Sequence, residues 1–203
     1  MLIERPPQFF RTIFPRALFR RTNVDRDVWL TFDDGPIPEV TPWVLDVLDR
    51  FGIKATFFMV GQNIERHPEL LEEVRRRGHE VGTHTMHHLQ GFHTSVEEYV
   101  SDAVQAMELA GSPLFRPPHG MLTRRQYKEM ADRGLVVMYD LVTRDYSKRL
   151  TPDQVLANVR RYTRPGSIIV FHDSLKSWPR LESALPRALE WLKSQNYEFR
   201  NDW

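Results

Sequence analysis

Two adjacent carboxylates, Asp33 and Asp34, end an apolar run in the segment VWLTFDDGPIPEV (28–40). A buried carboxylate is costly unless it is paired, hydrogen-bonded or bound to a metal, so the chain should supply partners for both. Neighbouring side chains on a strand point to opposite faces, but Gly35-Pro36 ends the pleat and lets both carboxylates turn into one site. One of them could then bind a metal ion while the other takes a proton from water.

The segment GTHTMHHL (82–89) supplies histidines for such a metal. His84 and His88 are four residues apart and share a face if the segment enters a helical turn, but His84 and His87 would share one too. Two imidazoles with Asp34 as the third ligand leave a fourth position for water, which is typical of catalytic zinc, although cobalt or nickel can occupy such sites. Because the chain has no cysteine, thiolate ligands and nucleophiles are excluded.

Three residues near the ends of other apolar runs have types suited to acid–base chemistry. Arg116, in LFRPPHG, could orient Asp33 through a bidentate contact and keep it ionised. His172 follows GSIIVF and suits a general acid, because an imidazole has an ordinary pKa near 6.5. Asp145, in VTRDYSK, is a candidate for the acid that raises the pKa of this histidine.

The elements that must position these residues alternate between strand-like runs and segments of helical period, which is typical of βα units around a mainly parallel sheet. Thr41-Pro42 and Thr151-Pro152 each indicate a helix N-cap followed by proline. The predicted strands are VWLTF (28–32), ATFFMV (55–60), HEVGTH (79–84), PLFRP (113–117), LVVMYD (135–140), GSIIVF (166–171) and, as a possible seventh, YEF (197–199).

Six or seven such repeats predict a (β/α) barrel, with an open doubly wound sheet as the alternative. No GxGxxG or GxxxxGK[ST] follows a strand, so a nucleotide site has no support. In either fold, ligands bind at the carboxyl ends of the strands. The polar residues that follow the predicted strands are Asp33, Asp34, His84, His87, His88, Arg116, His119, Asp140, Asp145, His172 and Asp173.

Length and charge limit the remaining choices. A chain of 203 residues with 41% hydrophobic residues and no long polar linker predicts a single domain. Its formal net charge of +1 gives no attraction to nucleic acid, and no stretch approaches the roughly 20 apolar residues of a membrane span. The first residues lack a secretory signal, so we expect a cytoplasmic protein, with export open if the sequence is trimmed. Nothing in the sequence indicates the oligomeric state.

Residues 1–27 form a basic and aromatic extension, and within residues 1–21 five arginines are interleaved with phenylalanines. A segment of this composition can lie on a membrane surface. Three prolines, Pro6, Pro7 and Pro15, interrupt any long helix, and this favours aromatic side chains that pack on the domain while the arginines stay in water.

Five motifs in order resemble those of the polysaccharide deacetylase family with the NodB homology domain, also called carbohydrate esterase family 4. They are TFDDGP (31–36), HTMHH (84–88), RPPHG (116–120), RDY (144–146) and VFH (170–172). The resemblance spans roughly residues 28–200, so residues 28–203 are assigned to the catalytic domain. It implies a distorted (β/α)7 barrel.

The resemblance also implies a role for each motif. Asp33 would be the catalytic base and Asp34 a metal ligand, with His84 and His88 rather than His87 as the other ligands. Arg116 would orient the base, and the backbone N–H of the residue before Gly120 would help bind the oxyanion.

The fourth and fifth motifs supply Asp145 and His172. His172 would be the catalytic acid, and Asp145 would tune its pKa. Three residues depart from the family pattern: His119 and Tyr146 replace an aromatic residue and a tryptophan, and Val170 replaces a leucine. These changes affect the wall of the cleft and therefore the substrate rather than the reaction.

The resulting hypothesis is metal-assisted hydrolysis of an N-acetyl group on an amino sugar or glycan. An O-acetyl esterase acting on xylan-like glycans is the alternative within hydrolases, because an ester needs the same metal and base. A catalytically silent glycan-binding module is the alternative from another class, and it would need the cleft without the metal.

Overall fold

Strands and helices alternate along residues 4–203, the part of the chain that the computed structural model describes. The strands are β1 Asp27–Asp33, β2 Thr56–Met59, β3 Glu80–Thr83, β4 Leu114–Phe115, β5 Leu135–Val136, β6 Leu141–Val142, β7 Ile168–His172 and β8 Glu198–Arg200. The helices are α1 Phe10–Ile13, α2 Thr41–Phe51, α3 Gly61–Arg66, α4 Pro68–Arg76, α5 Val96–Ala110, α6 Arg124–Ala131, α7 Pro152–Tyr162 and α8 Trp178–Ser194.

All strand pairs in the sheet are parallel, in the order β5-β4-β3-β2-β1-β7-β6, with β8 added beside the start of β1. The sheet curls into a half-barrel with helices around it, which confirms the predicted parallel (β/α) architecture in one domain. At the centre of the sheet, Asp33 of β1 is in register with His172 of β7. The fold therefore places two predicted site residues side by side at the carboxyl ends of adjacent strands.

The sheet is buried on both faces, as the apolar strand sequences require. Every residue of β2 and β7 is buried, and Phe32 of β1 stacks between Phe57 and Phe171 with ring centroids 5.0 and 6.2 Å away. The apolar face predicted for α2 is also confirmed, because Val44, Leu45, Val47 and Leu48 are all withdrawn from solvent.

The two end strands of the curled sheet, β5 and β6, do not pair with each other, and the described part of the N-terminal extension lies across this opening. Leu18 exchanges backbone hydrogen bonds with the β5 side, through Val136 and Met138, while Val142 of β6 donates to the carbonyl of Glu4. Phe14 and Phe19 are buried in an apolar cluster beneath. Residues 1–3 of the extension lie outside the described residues.

Three local predictions are corrected. Thr151 caps α7 as expected, but Thr41 is the first residue of α2, and its hydroxyl accepts from the N–H of Ile37 and donates to Asp173 instead. The run 135–140 is a strand only at Leu135–Val136, because its backbone then bonds to the N-terminal extension. The tail 198–200 is an eighth strand rather than a seventh.

Within residues 4–203, no helix has the length and apolarity needed to cross a membrane.

Candidate active site

A cavity of about 190 Å³ lies at the carboxyl ends of the central strands. Most of the predicted site residues line it, while Asp145 is fully buried behind His172. The lining residues predicted from the sequence are Asp33, Asp34, His84, His88, Arg116, His119, Tyr146, Val170 and His172. Residues from five separate stretches of chain thus converge, as expected for the carboxyl end of a parallel sheet.

Asp33 is the last residue of β1, and its carboxylate is fixed by Arg116. The Nη1 of Arg116 donates to Oδ1 of Asp33 at 2.6 Å and to the hydroxyl of Thr31 at 2.8 Å. The predicted bidentate contact is wrong, because Nε and Nη2 donate to the carbonyls of Val137 and Met138 at 3.2 and 3.1 Å. The guanidinium is thereby anchored to the backbone, and its hydrogen bond to Asp33 goes to Oδ1.

Asp34, His84 and His88 form a cluster that we call the ligand triad. One potential ligand atom from each lies within 4.8 Å of the others, and Oδ1 of Asp34 is 3.9 Å from Nε2 of His84 and 3.3 Å from Nε2 of His88. Asp34 has φ of 79°, so the backbone turns at this residue itself, one position before the predicted break at Gly35-Pro36.

The histidines of the triad do not lie on a helical turn, and that part of the prediction is wrong. His84 directly follows β3, and residues 84–88 form a loop in which Thr85 and His88 have φ of 61° and 55°. The rings of His84 and His88 are nevertheless 5.0 Å apart. The left-handed backbone brings together two residues that a regular helix was expected to align.

His84 is held in the form that binds metal. Its Nδ1 lies 2.8 Å from the carbonyl oxygen of Arg116, and because a carbonyl only accepts, Nδ1 carries the proton and Nε2 presents a lone pair to Asp34. Burial lowers the pKa of His84 to about 4, so the imidazole is neutral at pH 7. Burial would raise the pKa of Asp34, but the hydrogen bond with His88 and nearby histidine charges hold it well below its ordinary value.

The donor set of the triad fits a divalent transition metal. It contains two imidazoles, one of them buried and neutral, and one ionised carboxylate, and this is the composition of three-ligand catalytic sites that leave a position open. The neighbouring His87 is outside the triad. Its Nδ1 lies 2.5 Å from Oδ2 of Asp102, while Oδ1 of the same carboxylate accepts the backbone N–H of Met86 and thereby shapes the loop.

His172 is paired with Asp145 on the other side of the cavity. The two carboxylate oxygens of Asp145 accept from the backbone N–H of His172 at 2.8 Å and from its Nδ1 at 2.7 Å. Burial lowers the pKa of His172, but the charge and hydrogen bond of Asp145, with smaller contributions from Asp34 and Asp33, raise it to about 9. Tyr146 packs edge-on against the imidazole with ring centroids 4.8 Å apart.

His119 lines the cavity from the loop after β4, in the left-handed conformation with φ of 59°. Its ring lies across that of His88 with centroids 4.8 Å apart. The side chain that replaces the usual aromatic residue therefore packs against a member of the ligand triad.

Two strand-end acids have other partners. Asp173 is 1% exposed, and it accepts from the N–H of Gly35 at 3.1 Å and from the hydroxyl of Thr41 at 2.6 Å. A side chain on Gly35 would collide with this carboxylate, since a Cβ there would lie 2.1 Å from Oδ2. Asp173 thus ties β7 to the turn that carries Asp34, a role that its position after His172 alone did not reveal. Asp140 does not line the cavity, and its carboxylate accepts hydrogen bonds from Arg164 and Ser167.

Lys176 also lines the cavity and was not predicted. Its Nζ lies 5.4 Å from the ring centroid of Tyr146 at the exposed rim. A single exposed lysine in a loop carries no pattern in the sequence that would distinguish it from other surface cations.

Comparison with known proteins agrees with this fold and site. The family model described as polysaccharide deacetylase matches residues 20–138. A peptidoglycan-N-acetylglucosamine deacetylase of Bacillus cereus is 33% identical over 184 residues, which cover 87% of this chain and 86% of the relative. The chain therefore belongs to the polysaccharide deacetylase family, as the five motifs predict.

Two solved structures show the same fold. The crystal structure of a peptidoglycan N-acetylglucosamine deacetylase in complex with a naphthyl N-hydroxybenzamide superposes with a TM-score of 0.85 at 27% identity, over 96% of this chain and 94% of the other. A family 4 carbohydrate esterase pseudoenzyme from Bacillus anthracis superposes with a TM-score of 0.81 at 25% identity, over 91% of this chain and 66% of the other.

Proposed function

We propose that this protein is a metal-dependent hydrolase that removes N-acetyl groups from an amino sugar within a glycan such as peptidoglycan or a chitooligosaccharide. The observation that carries the proposal is the meeting of three groups in one cavity. These are the ligand triad, the Asp33–Arg116 pair and the His172–Asp145 pair. Amide hydrolysis needs an electrophile, a base and an acid, and the three groups match these needs.

The ligand triad is proposed to hold zinc, with cobalt or nickel as alternatives that suit the same donors. A divalent ion there supplies polarisation of the amide carbonyl and a lower pKa for water at the site. Asp34, His84 and His88 would bind it through Oδ1 and the two Nε2 atoms, which face one another.

Asp33 is proposed to take the proton from the attacking water. Arg116 holds Oδ1 at 2.6 Å, and Oδ2 lies 3.9 Å from Nε2 of His84, on the side of the ligand triad. The base is therefore oriented by one oxygen and acts through the other. The backbone N–H of His119 is proposed to stabilise the negative charge that develops on the carbonyl oxygen when water attacks the carbonyl carbon.

His172 is proposed to protonate the leaving amine. Its Nδ1 is occupied by Asp145, so Nε2 is the atom that can deliver a proton into the cavity. The raised pKa of this imidazole keeps it charged at neutral pH, as a general acid requires. Proton removal by Asp33 and proton delivery by His172 then release acetate and a free amine.

The test is to compare Asp33→Asn and His172→Ala with the wild type on N-acetylated oligosaccharides, with acetate release and metal content measured on the same samples. Both variants should keep the metal and lose at least about a hundredfold in kcat, because general acid–base catalysis contributes this much. His93→Ala is the matched control, since this histidine is exposed and lies outside the cavity. Survival of activity in either active-site variant would overturn its proposed role.

The same variants, assayed also on acetylated xylan, distinguish the alternative functions. An O-acetyl esterase would act on acetylated xylan and lose little when His172 is removed, because an alkoxide needs less help from an acid than an amine does. A silent binding module would bind glycans without a stoichiometric metal. The complete set of charged motif residues in the cavity supports the enzyme over the module.

A further inference from the structure

A second cavity, which we call the side pocket, lies directly beside the catalytic cavity and has a volume of about 280 Å³. Gly120 and Tyr139 line both cavities. At Gly120 the boundary between them is bare backbone. A substituent on a sugar held in the catalytic cavity can therefore reach the side pocket without displacing a side chain at that position.

The N-terminal extension builds one wall of the side pocket. The pocket is lined by Phe10, Phe14 and Phe19 of this extension. Phe14 and Phe19 are held in place by packing, since they are only 5% and 3% exposed. These residues precede position 20, where the match to the family model begins. Phe92, on the loop after the ligand triad, completes the opposite rim and is 58% exposed. The wall is thus ordered by the fold, while the rim is accessible from solvent.

The chemistry of the side pocket is unsuited to a further sugar ring. Its described lining consists of prolines, aromatic residues, glycine, methionine and leucine, and contains no charged side chain. Sugar hydroxyls that lose water need hydrogen-bond partners, and such a wall supplies few. An alkyl group has no such requirement and gains from leaving water.

The catalytic cavity has an apolar wall of its own, and its chemistry suits the methyl group of an acetyl substituent. Val142 and Val170 are buried at 5% and 1% exposure, and with Tyr139 and Tyr146 they form a separate apolar cluster next to His172. The acetyl group therefore does not need the side pocket, which is available to a different part of the substrate.

We propose that the side pocket binds a short alkyl aglycone, so that the substrate is an amino sugar bearing an aliphatic group at its reducing end. This inference rests on the proposed deacetylase function. A volume of about 280 Å³ lies just below the roughly 300–1,000 Å³ of pockets for drug-sized ligands, which suits a chain of a few carbons. Phe92 is then a specificity-determining residue that covers the chain at the rim.

The test compares methyl and hexyl glycosides of N-acetylglucosamine, as both anomers and below the micelle concentration. The hexyl compound should have a kcat/KM at least about tenfold higher, mainly through a lower KM, because the alkyl chain adds binding energy away from the reacting atoms. Phe92→Ser should remove most of this preference. Phe92→Leu should keep it, and Leu109→Ala, an exposed residue that lines neither cavity, is the control.

Direct binding of both glycosides by calorimetry separates this inference from the proposed function. If acetate is never released but the hexyl glycoside binds more tightly and loses this advantage in Phe92→Ser, the side pocket stands and the deacetylase function fails. If acetate is released with no preference for the hexyl chain, the function stands and the side pocket assignment is overturned. A preference that appears only after removal of residues 1–3 would assign the pocket to the chain's own terminus and also overturn it.

Discussion

The guanidinium of Arg116 donates to the carboxylate of Asp33 at 2.6 Å, and the two side chains are only 1% and 7% exposed. Arg116 comes from the end of β4 and Asp33 from the end of β1, so the pair crosses β2 and β3 in the sheet. A buried charge is tolerated only with a partner, and each of these groups satisfies that need for the other. The contact with Arg116 therefore both orients the base and offsets the free-energy cost of burying its charge.

Replacing Arg116 by methionine should leave Asp33 buried without its cation. We expect a loss of about 3–5 kcal/mol in the free energy of unfolding, the cost of removing one partner of a buried pair, together with loss of turnover. Urea denaturation and acetate release are the measurements. Arg133→Met removes an exposed ion pair with Glu129 and should cost at most about 1 kcal/mol. Equal losses in the two variants would contradict the role of the buried pair.

The ligand triad predicts a sharp difference between two neighbouring histidines. His88→Ala should reduce metal affinity by about a hundredfold or more, because it removes one of three protein ligands. His87→Ala should keep the metal, since its ring faces Asp102 rather than the triad. Metal titration of the apo proteins measures both, and metal loss in His87→Ala would show that the other histidine register is the correct one.

The pKa of His172 predicts the alkaline limit of activity. A general acid must be protonated, so kcat should fall as the pH rises through the raised pKa of about 9. In Asp145→Asn the largest cause of that rise is removed, while burial still lowers the pKa. The alkaline limb should then move to lower pH, and activity at pH 8 should fall more than activity at pH 6. A pH profile of kcat that shifts upward or keeps its position would argue against the pairing.

The N-terminal extension should contribute to stability through its buried aromatic residues. Phe19 is 3% exposed, and Phe19→Ala should cost about 3–5 kcal/mol in the free energy of unfolding, as for other large core side chains. Phe9 is 58% exposed, and Phe9→Ala should change it by at most about 0.5 kcal/mol. Chemical denaturation of both variants measures the difference, and similar small effects would mean that the extension does not belong to the folded core.

The sequence predicted which residues form the site more accurately than it predicted the backbone conformation that aligns them. Asp33 and His172 end apolar runs, and in a parallel sheet such ends must lie on one edge, so their proximity followed from the pattern. The alignment of His84 with His88 did not, because it depends on left-handed residues at Thr85 and His88 that no glycine marks.

Two further features could not be predicted from the sequence, because they depend on long-range contacts that periodicity does not encode. Thr41 precedes a proline as an N-cap would, but its hydroxyl is used by Asp173, more than a hundred residues later in the chain. Strand β5 is short because the backbone after it bonds to Leu18 of the extension. Local pattern indicates which segments are apolar, and partners distant in sequence decide where the strands end.

The segment across the opening between β5 and β6 affects the order in which the chain can be assembled. Leu18 acquires its backbone partners, Val136 and Met138, only after more than a hundred further residues have been synthesised. Contacts so distant in sequence are slow to form. Until they do, the extension lacks the strand that its backbone pairs with, so in a nascent chain the extension would fold after segments that follow it in the sequence.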